Sequence, residues 1–406
     1  MTAKLPYNPR VIVAPGDAAL AAEIQRLVGF GPPVGDWFLK LEGLRSAQCA
    51  PLVGQASRHG GGALVHEKGD GSADALLRVP GDVLEALLSA LAADEAGDDL
   101  VGAIRATADA WQQRRFVLQC GPRTLEVGCR TLLMGIVNVT PDSFSDGGQF
   151  YDPGKAIEHG RRLAAEGADI LDIGGESTRP GAGPVDAETE CARVLPVIEA
   201  LAGDIGIPIS IDTSKAAVAR RALAAGATVL NDVTALRGDA AMAAVAAEAG
   251  VPVVLMHMQG TPRSMQEAPH YDDLMSEVVA YLRGSMAIAV DAGVREDQLV
   301  VDPGLGFGKA LAHNLEIVRR LGELRSLGRP ILLGPSRKSM IGKVLGGTGI
   351  LPVGERMPGT AAVVGLGIAR GAHMVRVHDL AAMRQVARMT DAMLAGERAG
   401  FCEGRG

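Results

Sequence analysis

Eight short apolar runs in this chain end at, or just before, a side chain that can bind or ionise, among them Asn138, Asp212, Asn231, His257, Asp302, Ser336 and Arg376. The polar residues divide by chemistry into an acceptor set, Asp212, Asn231 and Asp302, and a cationic set, Arg179, Lys338, Arg376 and His378. Carboxylates and an amide at the bottom of an apolar pocket suit a flat heterocycle with several N–H donors, such as an aminopyrimidinone edge, because each acceptor would otherwise be buried unpaired. Cations around the rim suit phosphate oxygens. No Ser-His-Asp or Cys-His constellation stands out in these motifs.

Taken singly, each residue also has a purely structural explanation. Asp212 precedes Thr213-Ser214-Lys215 and equally reads as a helix cap; Asn231-Asp232 reads as a turn or cap, and Asp302 before Pro303 as a loop former. His257, between Met256 and Met258, reads as a satisfied core histidine, and Asp172 and Glu176 as hydrogen bonders of the rim with no part in catalysis. Capping, however, acts at each helix independently. A common pocket accounts more economically for a polar residue at every run.

The elements that must position these residues follow from the periodicity. From Thr131 onward short apolar strands alternate with helical segments, the sequence form of consecutive βα units, at 132–138, 169–174, 208–212, 228–232, 251–257, 299–302, 330–334 and 373–377. Eight such units predict a closed (β/α)8 TIM barrel over 131–396, whose active site lies at the C-terminal mouth of the strands. A doubly wound open sheet is the runner-up, but the glycines at 304, 306 and 308 follow Asp302-Pro303 and open no helix as a dinucleotide fingerprint would. Residues 116–120 and 124–127 alternate around Gly121-Pro122-Arg123, predicting a hairpin over 116–130 that covers the barrel floor. Ahead of it, 1–115 carries alternating stretches at 11–14 and 63–66, a helical run at 81–93 and an amphipathic run at 100–111, predicting a small N-terminal α/β domain of unassigned role. Residues 397–406 are expected to form a flexible tail.

Composition bounds the partners. The chain has 406 residues, 47% of them hydrophobic, and a net charge of -7, which speaks against a nucleic-acid surface. With 3% aromatic residues it offers no stacking platform for single strands. Its five cysteines show no C-x-x-C spacing and read as reduced thiols of a cytoplasmic protein. No export signal or membrane-length apolar stretch is apparent, so no membrane partner is expected.

Taken together, MGIVNVTPDSFSDGG at 134–148, ADILDIGGESTRPGA at 168–182, PISIDTSK at 208–215, LNDVTAL at 230–236, VVLMHMQGTP at 253–262, DPGLGFGK at 302–309, SRKSMIG at 336–342 and RVHDL at 376–380 resemble the dihydropteroate synthases, over about 131–396 and in the family's order. Ala310, where threonine is usual, and Leu380, where valine is commoner, depart from the pattern. The resemblance implies condensation of 6-hydroxymethyl-7,8-dihydropterin diphosphate with 4-aminobenzoate, giving 7,8-dihydropteroate and pyrophosphate for folate biosynthesis, in an enzyme that is a sulfonamide target and a homodimer. By motif, Asp212, Asn231 and Asp302 would hold the pterin edge, Lys338 its carbonyl and ring nitrogen, and Met256 its face. Asn138, Thr178, Arg376 and His378 would engage the diphosphate, with Asn138 also a ligand of Mg2+; Phe144, Arg179, Pro180 and Ser336 would shape the aminobenzoate site as loops 140–148 and 177–183 close. Asp212, Lys338 and Arg179 would carry the catalysis. A methyltetrahydrofolate-binding methyltransferase shares the acceptors but has no use for a diphosphate rim, and a silent paralogue acting as a binding module would be expected to have lost Asn138, Asp142, Phe144, Thr178 or Arg179, all present here.

Overall fold

The computed structural model of the chain describes residues 3–13, 36–94, 97–140, 152–177, 183–261 and 264–395. The chain forms two compact units: Met1–Gln113 with Met275–Arg283 and Gly322–Gly328, and Arg114–Leu274 with Gly284–Leu321 and Arg329–Gly406.

In the first unit, strands β1 (Arg10–Val11), β2 (Trp37–Arg45), β3 (Gly62–Glu67) and β4 (Ser72–Val79) form an antiparallel sheet in the order β1-β2-β4-β3. Leu39, Leu41, Leu44, Ala75 and Leu77 share one core with Leu52 and Ala56 of helix Ser46–Arg58, Leu84, Leu87, Leu88 and Leu91 of helix Leu84–Ala93, and Leu100, Ile104 and Ala108 of helix Asp98–Gln112. Sequence periodicity located β3 and the last two helices, but not β2, β4 or helix Ser46–Arg58. In β2 the pairing register shifts between Leu41 and Leu44, around Gly43 at φ 70°. Such a bulge breaks the two-residue alternation by which a strand is read. Helix Ser46–Arg58 carries Pro51 in its interior, a residue that argues locally against helix.

The second unit opens with the hairpin β5 (Phe116–Cys120) and β6 (Arg123–Val127), then an eight-stranded parallel sheet. Its strands are β7 (Leu132–Asn138), β8 (Ile170–Gly174), β9 (Ile209–Asp212), β10 (Val229–Asp232), β11 (Val253–Met256), β12 (Leu299–Asp302), β13 (Leu332–Leu333) and β14 (Met374–Val377). Neighbours run sequentially from β7 to β12, β14 pairs with both β7 and β13, and a parallel bridge between Val301 and Ile331 closes the circle. This is an α/β barrel, and an open doubly wound order is excluded. Helices cover the outside; helix Pro153–Glu166, for instance, starts where Asp152 accepts the Gly154 amide at 2.9 Å and stops at Gly167, φ 98°.

Strand alternation sorts the interior into layers. Met134, Ile170, Val229, Val254, Val300, Leu332 and Met374 form one apolar cluster with Phe116, Leu118, Cys120 and Val127 of the hairpin. Two residues further along, the same faces read Ile136, Asp172, Asn231, Met256, Asp302, Gly334 and Arg376. The change from an apolar to a polar layer within one alternation step sets the depth of the pocket. Because the hairpin alternates too, Leu118→Ala should open a cavity and lower the unfolding free energy by about 2–5 kcal/mol. Its neighbour Val117 is 55% exposed, so Val117→Ala should stay within about 0.5 kcal/mol; urea unfolding followed by circular dichroism checks both, and equal losses would refute the packing of the hairpin.

Candidate active site

Register brings the strand-end residues into rows. Asn138 pairs with Gly174, Gly174 with Asp212, and Asp212 with Asn231, while Met256 pairs with Asp302. A Cβ at Gly174 would lie 3.4 Å from the Asp212 Cβ, so the glycine leaves the space beside the carboxylate open. Asp212, Asn231 and Asp302 thus belong to one concave surface at the C-terminal ends of three strands, where a barrel binds its ligand.

A guanidinium organises that surface. Arg376 donates from Nε to Asp172 Oδ2 at 2.6 Å and from Nη2 to Asp212 Oδ2 at 2.8 Å. Asp172, fully buried, also accepts from Asn231 Nδ2 at 3.1 and 3.3 Å through its two oxygens. One fixed carboxylate therefore orients both the arginine and the amide; with Nδ2 turned to Asp172, the Asn231 Oδ1 is left to face a ligand donor. The expectation that Asp172 is an ordinary rim residue is corrected here: it lies one layer below the rim and aligns two residues expected to bind ligand. Nor do the cations form a separate rim, since Arg376 sits among the acceptors. Burial pushes the Asp212 carboxyl above the usual carboxylate range, against the pull of Arg376.

Across the pocket, Asp302 accepts the Gly304 amide at 2.7 Å, and burial raises its carboxyl against the opposing Lys338 and Lys309. The turn that follows has Gly304, Gly306 and Gly308 at φ 67°, 82° and 62°. A Cβ would fall 2.0 Å from the His257 carbonyl oxygen at Gly304 and 2.3 Å from that of Gln259 at Gly308, so only glycine fits these two positions. This turn seats Phe307 so that Lys338 Nζ lies 4.2 Å over its ring. Burial brings the Lys338 ammonium down to about 8, although Asp302 and Asp212 pull the other way. Phe307 joins Met256, Met258, Met265 and Val233 in a small apolar cluster, the flat wall beside the polar floor. His257 is indeed buried, and its Nδ1 meets Lys309 Nζ at 2.8 Å. Sequence reasoning assigned Lys309 nothing, because a lysine closing a glycine turn reads as solvated.

Ser336 Oγ accepts the His378 amide at 3.1 Å and lies 2.9 Å from His378 Nδ1. The hydroxyl therefore holds both the backbone and the ring of His378 in place. Arg337, between Ser336 and Lys338, turns away and pairs through both nitrogens with Asp379. Glu176 accepts the Val185 amide at 3.1 Å and, with buried Glu190, grips Lys215. Phe144, Thr178, Arg179 and Pro180, with Asp142, lie outside the described residues. Among the described residues no cluster of three or more His, Cys, Asp or Glu could hold a metal, and no helix is long and apolar enough to cross a membrane.

A family model described as pterin binding enzyme matches residues 134–378. The dihydropteroate synthase of Bacillus subtilis (strain 168) is 46% identical over 278 residues, covering 68% of this chain and 94% of that protein. Among solved structures, the Xanthomonas albilineans dihydropteroate synthase with 4-aminobenzoic acid superposes with a TM-score of 0.65 at 46% identity, covering 69% of this chain and 99% of the other. The same organism's enzyme in complex with 7,8-dihydropteroate gives 0.62 at 44% identity, over 69% and 99% of the two chains.

The carboxylate layer generates its own test. Asp172→Asn removes the buried anion but keeps the shape, so the loss reports the charge that balances Arg376. Breaking a buried pair from one side costs about 3–5 kcal/mol. Urea unfolding of the variant should show a loss of that size; a loss below about 1 kcal/mol would mean that water or another group balances the guanidinium.

Proposed function

The chain belongs to the pterin binding enzyme family, and we infer that it catalyses the dihydropteroate synthase reaction, joining 6-hydroxymethyl-7,8-dihydropterin diphosphate to 4-aminobenzoate with release of pyrophosphate. The observation that carries this reading is the acceptor surface of Asp212, Asn231 and Asp302 beside Lys338 and the Phe307 ring. A pterin offers several N–H donors on one edge, a carbonyl, and two flat faces. The carboxylates and Asn231 take the donors, Lys338 takes the carbonyl and ring nitrogen, and Met256 covers a face.

The reaction breaks the C–O bond between the pterin methylene and the diphosphate, whose oxygen leaves with the bonding pair. The methylene carbon becomes cationic and conjugated with the ring. The aryl amine then forms the C–N bond and loses a proton. Carboxylates around the ring stabilise the cation, while Arg376 and His378 stabilise the departing anion. His378 thus acts as a diphosphate ligand and no general base. Thr178 is read as a further diphosphate contact, and Phe144, Arg179, Pro180 and Ser336 as the aminobenzoate site. Loops 140–148 and 177–183 would close over bound diphosphate, so that aminobenzoate enters second.

Mg2+ fits what the chain offers: it favours oxygen ligands and keeps waters and substrate phosphates, and Asn138, half-buried at the end of β7, supplies one amide oxygen. When bound, the ion would neutralise charge on the leaving pyrophosphate. A homodimer is supported by the exposed Val344, Leu345, Val353, Met357, Leu366 and Met389, gathered on the last turns and helices of the barrel. A cytoplasmic setting is supported by the free thiols of Cys49, Cys120 and Cys191.

Incubation with labelled 4-aminobenzoate and pterin diphosphate should give labelled dihydropteroate and one pyrophosphate per turnover; label incorporated without pyrophosphate, or none at all, refutes the reaction. The pH dependence gives a second check. Lys338 titrates near 8 and must be protonated to donate, so kcat/KM for the pterin substrate should fall as pH rises through that value. In Lys338→Arg, charged throughout, the plateau should be lower and the fall displaced upward; an unmoved fall would assign it to another group.

A further inference from the structure

The reaction leaves one buried cation without a task. Lys309 is 2% exposed. Its Nζ donates to the Phe307 carbonyl at 2.9 Å, meets His257 Nδ1 at 2.8 Å, and approaches the His257 carbonyl at 3.4 Å. An ammonium has three donors, and these three acceptors take all of them. Two belong to His257, directly after β11; the third lies inside the glycine turn after β12. The side chain therefore fastens one strand end to the neighbouring turn.

That turn begins at Asp302 and carries Phe307 beneath Lys338. Its backbone is already pressed against the His257 and Gln259 carbonyls at Gly304 and Gly308. Tyr271 donates to the Gly308 carbonyl at 2.7 Å, Gln266 donates to the Gly306 carbonyl at 2.6 Å, and Asn314 accepts the Gly306 amide at 2.6 Å. Among these ties only Lys309 reaches the His257 strand end, and only Lys309 can bring a positive charge. An unbranched apolar side chain would fill the same volume without bringing a charge out of water, so packing alone gives no reason for a cation here.

We propose that Lys309 is a positioning residue of the pterin site: its ammonium, held by the His257 imidazole and the two carbonyls, fixes the 303–308 turn so that Asp302 and the Phe307 ring meet the pterin in register. This rests on the reading of the pocket as a pterin diphosphate site. Burial brings the His257 imidazole down to about 2, with Lys309 adding to the effect, and so keeps it neutral. Burial also brings Lys309 down to about 7 against the pull of Asp302, and opposite its ammonium, which can only donate, Nδ1 accepts and the ring proton sits on Nε2. The charge also lies close enough to Asp302 to help hold it as an acceptor.

The test pairs steady-state kinetics with nitrogen NMR of the imidazoles in the full chain. In Lys309→Met the KM for pterin diphosphate should rise tenfold or more while that for aminobenzoate stays within twofold. His257→Gln, which keeps an acceptor for the ammonium, should stay near wild type, and His257→Leu should reproduce the pterin-selective loss. The wild-type spectrum should show His257 with an unprotonated, hydrogen-bonded Nδ1 and a protonated Nε2. Equal rises in both KM values, equal behaviour of the glutamine and leucine variants, or a proton on Nδ1 would overturn the proposal. The two histidine variants and the wild-type spectrum decide it even if Lys309→Met does not fold. A wild-type enzyme that releases no pyrophosphate would instead refute the reaction, leaving the spectrum to report on the tie.

Discussion

A guanidinium inside a barrel must be balanced, and the site is built around how Arg376 meets that demand. Removing a charge from water is costly unless the partner geometry is good and the remaining hydrogen-bonding capacity is used. Asp172 supplies a carboxylate at fixed depth, and Asp212 a second at the rim. The two are not equivalent. Asp172 is closed off and spends its other capacity on Asn231, whereas Asp212 keeps a little exposure, 12% of its side chain, and with it room for a ligand. The deep carboxylate is structural support for the shallow one.

This arrangement works because the layer below is dry. The hairpin places Phe116, Leu118, Cys120 and Val127 against the apolar strand residues, so the polar layer is backed by an apolar one on the hairpin side. Low polarity beneath strengthens each interaction above it. It also explains why the carboxyls of Asp212 and Asp302 are raised while the ammonium of Lys338 is lowered. Burial works against the charged form of each group, and a ligand that brings N–H donors to the carboxylates and an acceptor to the lysine restores what burial has removed.

The strand ends were legible because two local signals coincide there: an apolar run stops, and a residue with hydrogen-bonding capacity follows. Asn138, Asp212, Asn231 and Asp302 carry both signals, whereas Arg376 sits between Val375 and Val377 and is read from its motif. Asp172 carries neither, since it lies inside the run Ile170–Gly174 with apolar residues on both sides; its importance appears only once the closed barrel brings it against Asn231 and Arg376. Lys309 was hidden for a similar reason. A glycine turn suggests exposure, and only the closeness of the His257 and Gln259 carbonyls shows that the turn folds inward. In the leading unit the same logic fails at β2, where the Gly43 bulge shifts the alternation, and at helix Ser46–Arg58, where Pro51 contradicts the local propensity that tertiary packing overrides.

Backbone strain follows the same geography. Of the five non-glycine residues described at positive φ, Tyr7 and Asn8 belong to the leading unit, while Ala235, Leu236 and Arg337 belong to the barrel and sit in turns that follow or flank site residues. Such conformations persist where surrounding bonds over-determine them. Asp232, next to Asn231, accepts the Thr234 and Leu236 amides and the Thr234 hydroxyl, each within 2.8 Å, and so fixes the turn containing Ala235 and Leu236. Arg337 is held by Asp379 on one side and by Thr360 on its amide, which lets Ser336 and Lys338 project to the pocket from either side of it. Asp232 and Asp379 therefore do at the rim what Asp172 does in the floor. Each is a carboxylate one residue from a ligand-facing side chain or one layer beneath it, and its bonds are spent inside the protein so that its neighbour's remain for the substrate.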